Sequence, residues 1–297
     1  MNYLTDNIYI PVLNRGDKLY HYTSVSGFEG ICKGEFWVTE SSFLDDKTEL
    51  SVATNVFCKL VDNHVKNRYV CDKLKQKVIE YLKNDLNYQS INVEAVNLDS
   101  FYILSFSLNH DDLSMWNQFT NNSGYCLSFD FQNLFDSFEK DSIFCSGKVI
   151  YDEVDQINIL EKEICQLFFN GEFFRDWNDF DNMTEDKIYD IYQILSASLS
   201  IYNQFFKHSY FKNENEYRFV FYRHCHNENH YSYKQYFRIK NDLLIPYIKV
   251  KLLTLDSLDE VMVAPKNDKE ISKLSVLRYL NTLNVKAKVT NSEVQIR

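Results

Sequence analysis

Apolar and polar positions alternate along several short stretches of this chain and recur every three to four residues along others. That contrast predicts the order of its elements. Period-two runs at Lys18–Thr23, Phe36–Thr39, Phe101–Ser107, Tyr125–Asp130 and Lys148–Asp152 predict strands in the first half. Further runs at Glu216–Arg223, Gln235–Ile239, Ile245–Val250, Glu260–Ala264 and Val285–Val289 predict strands in the second. Helical spacing predicts helices over 45–69, with Leu50, Ala53, Val56, Phe57, Leu60 and Val61 in register, and over 70–86, 111–120, 157–169 and 269–283. The strongest helical pattern runs from Thr184, as N-cap, to His208, with Ile188, Ile191, Leu195, Leu199, Tyr202 and Phe206 on one stripe. Ser26 and Glu29 have capping-box spacing, which predicts a short helix from about Gly27 that stops at Gly34.

This order predicts an α+β fold in one domain spanning residues 1–297, with a strand-rich core and a helical insertion over 153–208. The composition is that of a globular chain, with 21 Tyr and 23 Phe against 7 Gly and 3 Pro. A formal charge of -10 argues against a general nucleic-acid-coating role, because phosphate binding needs a basic face. No apolar run is long enough to cross a bilayer, and residues 1–14 lack the basic and apolar regions of a signal peptide. The seven cysteines are odd in number and form no Cys-x-x-Cys pair. Reduced thiols, a cytoplasmic location and no membrane partner are the resulting expectations.

Three strands carry paired polar positions. In extended chain His21 and Thr23 share one face while Tyr20 and Tyr22 share the other. Ser105 and Ser107 lie opposite Leu104 and Phe106; Glu214, Glu216 and Arg218 lie opposite Tyr217, Phe219 and Phe221. Each pair has a plain structural reading beside the functional one. His21 can be a satisfied core histidine, and Glu216 with Arg218 an ion pair on a half-exposed strand. Trp116, on a short helix after a strand, can be core or a stacking wall for a planar ring. His224, Cys225, His226 and His230 are ligand types that zinc accepts, but no second half with standard spacing accompanies them. Asp45, Asp46 and Glu49 read as an acidic helix start before they read as a cation or nuclease site. Cys126 reads as a buried thiol, and no metal is expected.

The order of these segments resembles the bacterial domain-of-unknown-function family twenty-nine seventy-one. The resemblance rests on Tyr20–Ser24, Phe36–Thr39, Leu44–Glu49, Ser105–Ser107, Ser114–Trp116, Ser128–Asp130, Glu214–Arg218, Ala264-Pro265 and Ser292 to Arg297. It covers nearly the whole chain outside the insertion. Tyr217 stands where the family shows Trp. The family's layout is in turn similar to ADP-ribosyltransferases of the His-Tyr-Glu type, which implies an ADP-ribosyltransferase-like split β-sheet core with flanking helices.

That resemblance implies an NAD-dependent ADP-ribosyltransferase or NAD glycohydrolase, of a bacterial toxin or anti-phage defence kind, with NAD as its substrate. Cleaving the nicotinamide–ribose bond passes through an oxocarbenium-like transition state that a carboxylate stabilises. Glu216 takes that role and Glu214 that of general base. His21, Tyr22 and Thr23 would bind the adenosine-side ribose and the nicotinamide amide. Ser105 and Ser107 would flank the nicotinamide ribose, Trp116 would stack, and Arg218 or Arg238 would pair with the pyrophosphate. The acceptor is left open among protein, nucleic acid, small molecule and water, and a neutralising antitoxin or defence-system partner is implied. The alternative is a non-catalytic nucleotide-sensing or protein-interaction module on the same fold. The catalytic reading requires Glu216 and His21 to face each other across one cleft.

Overall fold

The structure is a computed structural model and describes residues 8–44, 48–63, 72–89, 100–140, 142–165, 168, 184–227, 230–240 and 242–295. It is a mixed α+β protein with a large mixed sheet and flanking helices. The chain forms two compact units. The first comprises Met1–Ile10, Asp45–Leu98 and Ile150–Tyr210; the second comprises Pro11–Leu44, Asp99–Val149 and Phe211–Arg297.

The second unit holds the sheet. Its elements are β1 (Lys18–Thr23), α1 (Val25–Cys32), β2 (Glu35–Glu40), and, after the other unit's first helices, α2 (Val52–Asn63) and α3 (Asp72–Gln89), β3 (Ser100–Ser107). Then follow α4 (Leu113–Thr120), β4 (Tyr125–Asp130), α5 (Phe131–Ser137) and β5 (Cys145–Lys148). The first unit then contributes α6 (Glu153–Leu160), a π-helical turn at Glu161–Cys165 and α7 (Glu185–Tyr202). The chain ends with β6 (Glu216–Arg223), β7 (Cys225–Asn227), β8 (His230–Tyr231), β9 (Gln235–Lys240), β10 (Leu243–Lys251), β11 (Leu258–Val263), α8 (Lys269–Thr282) and β12 (Lys288–Asn291).

The main path of the sheet is β12-β11-β4-β1-β3-β2-β10-β9, and β6 joins it by pairing with β3. β3 is the branch point. It pairs with β6 along its whole length, from Ser100↔Arg223 to Ser107↔Glu216. Its other edge is shared, because Tyr102 and Ile103 pair with β2 while Ser107 pairs with Tyr20 of β1. The sheet therefore splits beside β3. All these pairs are antiparallel except β11 with β12, which need the crossover helix α8 between them.

Strand alternation gives the sheet two unlike faces. On one, Leu19, Phe36, Val38, Leu104, Phe106, Leu127, Phe129, Tyr217, Phe219 and Val261 form the main core. Helices α1, α5 and α8 cover it with Phe28, Ile31, Phe131, Leu134, Val276 and Leu280. The opposite face is smaller and mixed: Met115 and Trp116 of α4 pack on Tyr22, Cys126 and Met262. Gly124 lets the chain enter β4 at φ +86°, where an added Cβ would meet the Thr23 carbonyl oxygen at 2.4 Å.

The first unit is helical. The apolar stripe read on residues 184–208 is buried at Ile188, Ile191, Leu195, Leu199, Tyr202 and Phe206, against Val56, Phe57 and Val61 of α2 and Leu74, Val78 and Leu82 of α3. Thr184 is the N-cap, its Oγ1 accepting from Lys187 N at 3.4 Å. The helix ends at Tyr202 rather than His208. Beyond it, Asn203 turns inward: its Oδ1 accepts from Ala53 N at 2.8 Å and its Nδ2 donates to Thr54 Oγ1 at 3.0 Å. A buried side chain 150 residues away thus satisfies the first turn of α2.

Several boundaries differ from the sequence expectations. Ser24, not Ser26, caps α1, with its Oγ accepting from Gly27 N at 3.1 Å, so the helix begins at Val25. The strand expected at 148–152 is β5, three residues earlier, since its pairing with β6 ends at Lys148↔Tyr217. The strand expected at 285–289 begins at Lys288. Asn284 takes φ 56° and Val285 N bonds back to Leu280 O at 3.0 Å, so Val285 terminates α8 instead. The short helix α5 has no counterpart among the sequence expectations; Asp130 caps it by accepting from Asn133 N at 3.0 Å.

Candidate functional site

The sheet register decides which expected site residues meet. Ser107 opposes Glu216 and Ser105 opposes Arg218, so these four side chains leave the same face. Tyr20 opposes Ser107, which brings Tyr20 and Tyr22 to that face as well. His21 and Thr23 alternate to the other face. His21 is partly buried on the side of the main core, its ring 5.3 Å from Phe106 and 5.6 Å from Phe36. Thr23 is buried against the first turn of α1, where an added Cβ on Gly27 would lie 2.1 Å from its Oγ1. The required pairing of Glu216 and His21 across one cleft is not met: the sheet itself stands between them.

His21 donates from Nδ1 to the Ser105 carbonyl at 3.1 Å, which fixes the neutral ring with its proton on that nitrogen. Burial lowers its pKa from 6.5 to about 4, and the bond to Ser105 offsets this only in part. A neutral, partly buried imidazole beside two phenyl rings ties β1 to β3 on the face opposite Glu216.

Glu216 and Arg218 lie two residues apart on β6 and form a buried pair, with side chains 6% and 2% exposed. Arg218 Nε donates to Glu216 Oε2 at 2.9 Å and Nη2 to Oε1 at 3.1 Å. Both carboxylate oxygens are engaged by the guanidinium fork. The half-exposed strand expected from the sequence is therefore buried on both faces over Glu216–Phe221.

Glu214 does not share that strand. It ends a 3₁₀ turn over Ser209–Glu214, and Asn215 at φ 45° re-aims the chain into β6. Its Oε1 accepts from Gln118 Nε2 at 2.6 Å, and its carbonyl from Ser107 Oγ at 2.8 Å. Asn109 joins the same network, donating from Nδ2 to Asn213 O at 2.8 Å and accepting at Oδ1 from Asn215 Nδ2 at 2.9 Å. Tyr22 donates its hydroxyl to Asn109 O at 2.9 Å and accepts from Asp112 N at 3.0 Å. Burial raises the pKa of Tyr22, which keeps it a neutral phenol.

Trp116 is fully buried, edge-on to Tyr22 at 4.9 Å, so it is core and not an open stacking wall. Its Nε1 donates to Asp111 Oδ1 at 2.8 Å. Asp111, at φ 51°, also accepts from Ser292 Oγ at 2.6 Å and Glu293 N at 2.8 Å. Burial alone would raise its pKa, but these three hydrogen bonds outweigh it and hold the carboxyl below its ordinary 3.8. Its stabilisation is complete above that ordinary value and disappears as pH falls through the depressed one. Asp111→Ala strands the buried indole N–H and releases the C-terminal segment. We expect a loss of about 3 kcal/mol in urea unfolding at pH 7, with Asp111→Asn losing less.

Arg238 stands apart from this cluster. It lies on the end strand β9, donating from Nη2 to Thr39 Oγ1 at 2.7 Å. Four strand spacings separate β9 from β6 along the sheet, roughly 19 Å, so Arg238 does not join Glu216. Cys126 is buried, and burial raises its thiol pKa, as suits an inert core cysteine.

Asn109, Asp111, Gln118 and Asn215 were not anticipated. The signal was present in Asn109-His110-Asp111-Asp112 and Asn213-Glu214-Asn215, because Asn and Asp favour left-handed backbone and side chain-to-backbone bonds. Asp45 and Asp46 fall outside the described residues, as do the side chains of Glu49, Cys225, His226 and His230. Among the described residues, no group of three or more His, Cys, Asp or Glu could hold a metal ion, and no helix is long and apolar enough to cross a membrane.

What the fold and cluster define is an α+β protein with a split sheet and a buried, hydrogen-bonded polar face. Residues 115–219 match the model of a family described as a protein of unknown function (DUF2971), which supports the family read from motif order. The matched span runs from α4 into β6. It contains Trp116, Glu214, Glu216 and Arg218 but not His21, Ser105 or Ser107. No curated protein and no solved structure matches the chain.

Proposed function

We propose that this chain is a non-catalytic binding module, of the nucleotide-sensing or protein-interaction kind. One observation carries the proposal: both oxygens of the Glu216 carboxylate are held by Arg218 in a buried pair, on the sheet face away from His21. A buried carboxylate so engaged has its charge largely offset by the adjacent guanidinium, so it offers a developing oxocarbenium ion little net negative charge. Incubated with NAD, the protein is expected to release nicotinamide no faster than a blank. Steady release that Glu216→Gln abolishes, with unfolding stability retained, would overturn the proposal.

The NAD-cleaving reading is the second one. Its supporting observation is that Tyr22, Ser105, Ser107, Glu216 and Arg218 share one face beside the split in the sheet. Under it the protein is an ADP-ribosyltransferase or NAD glycohydrolase, acting as a toxin or anti-phage effector and held in check by a neutralising partner. Growth arrest on expression, relieved by Glu216→Gln at equal protein level, is the result that would favour it.

A further inference from the structure

At the far end of the same sheet, β9 pairs with β10 only as far as Gln235↔Ile248. Beyond that point the edge of β10 borders an open cleft of about 200 Å³. Among the described residues, Lys234, Lys249 and Lys251 line it, with Ser142 and the carboxylate Glu139. Ser142 Oγ is buried there and has no hydrogen-bond partner among the described residues.

Two of these lysines also belong to a row of rings. Trp37 stacks on Tyr247 at 4.7 Å and 24°, and Tyr247 on Tyr236 at 5.6 Å and 28°. Lys249 Nζ lies 5.7 Å from the Trp37 ring and 5.3 Å from Tyr236, and Lys234 Nζ lies 5.3 Å from Tyr236. Trp37 is 46% exposed. Cross-strand stacking alone accounts for the rings. It does not account for three lysines lining one cleft in a chain of charge -10, with Glu35 on Lys249 and Glu139 as the acidic neighbours among the described residues.

We infer that this corner binds a nucleoside polyphosphate, its phosphates in the lysine cleft and its base on the exposed Trp37 ring. The cleft volume sets the division of labour. About 200 Å³ is below the roughly 300 Å³ of the smallest ligand pockets, so it admits the phosphates and leaves the base on the surface. Lys234 and Lys249 join the two halves. The inference rests on the binding-module reading in taking a nucleotide as ligand, and it adds where and how.

The test is calorimetric titration of the full chain with ATP, inorganic tripolyphosphate, adenosine and a dT12 oligonucleotide. ATP is expected to bind, tripolyphosphate more weakly, and adenosine hardly at all. The double variant Lys234→Ala with Lys251→Ala should weaken ATP and tripolyphosphate at least about tenfold at an unchanged melting temperature. Trp37→Ala should weaken ATP about fivefold or more while leaving tripolyphosphate unchanged. Should Trp37→Ala not fold, Lys251→Glu alone must still weaken both anions. No ATP binding at millimolar concentration overturns the inference. So does dT12 binding tighter than ATP, since the site would then be a single-strand groove. ATP binding that all these variants leave intact removes this site and leaves the binding-module reading standing.

Discussion

Arg218→Ala is expected to cost about 3–5 kcal/mol in urea unfolding at pH 7. The guanidinium is buried, and its removal leaves the equally buried Glu216 carboxylate without the two bonds at 2.9 and 3.1 Å. An exposed pair would contribute less than about 1 kcal/mol, so the size of the loss reports the burial as much as the bond. Glu216→Gln keeps the shape but leaves a buried cation opposite a neutral amide, and should also destabilise strongly. Replacing both members with apolar residues of similar volume, Glu216→Leu with Arg218→Met, should recover most of the loss. A cost below about 1 kcal/mol for Arg218→Ala would show that water reaches the pair. For the same reason, loss of activity in a Glu216 variant is evidence of catalysis only when folding is measured beside it.

Stability is expected to fall by up to about 3 kcal/mol between pH 6.5 and pH 4 through His21 alone. Its folded pKa of about 4 lies below its ordinary 6.5, because the partly buried ring packs against Phe36 and Phe106 and is desolvated there. Between those values the unfolded chain binds a proton that the folded chain does not. The contribution is therefore complete above pH 6.5 and is lost as pH falls toward 4. Urea unfolding of wild type and His21→Phe across that range checks this. The variant forfeits the bond to the Ser105 carbonyl at every pH but should lose the slope over that window. An unchanged slope would mean that His21 charges in place and is solvated. This window lies above the one in which Asp111 acts, so the two residues can be told apart by pH alone.

Most strands and helices of this chain were legible because their signals are local. Alternation marked β1, β3, β4 and β6, and the 3.6-residue stripe from Ile188 to Phe206 marked the inner side of α7 and the turn after it. Boundaries were less legible where a partner outside the segment ends it. Strand β5 stops where β6 ceases to pair with it, and α2 takes a cap from Asn203. Within the candidate site, alternation correctly separated Glu216 and Arg218 from Tyr217 and Phe219. It failed at Glu214, because Asn215 takes left-handed backbone and the extended run begins one residue later.

The sequence by itself determined which residues of each strand share a face, since that follows from a period of two within one segment. It could not determine whether the polar face of β1 is the polar face of β3 and β6. That depends on register between segments some 80 to 200 residues apart, and a shift of one residue reverses every side chain. The tertiary structure decided it by pairing Tyr20, not His21, with Ser107. That register sends His21 to the face of the aromatic core and leaves Glu216 with Arg218 on the other side. The physical reason is burial. The larger apolar surface of Leu19, Phe106 and Phe219 takes the covered face, and the histidine travels with its strand.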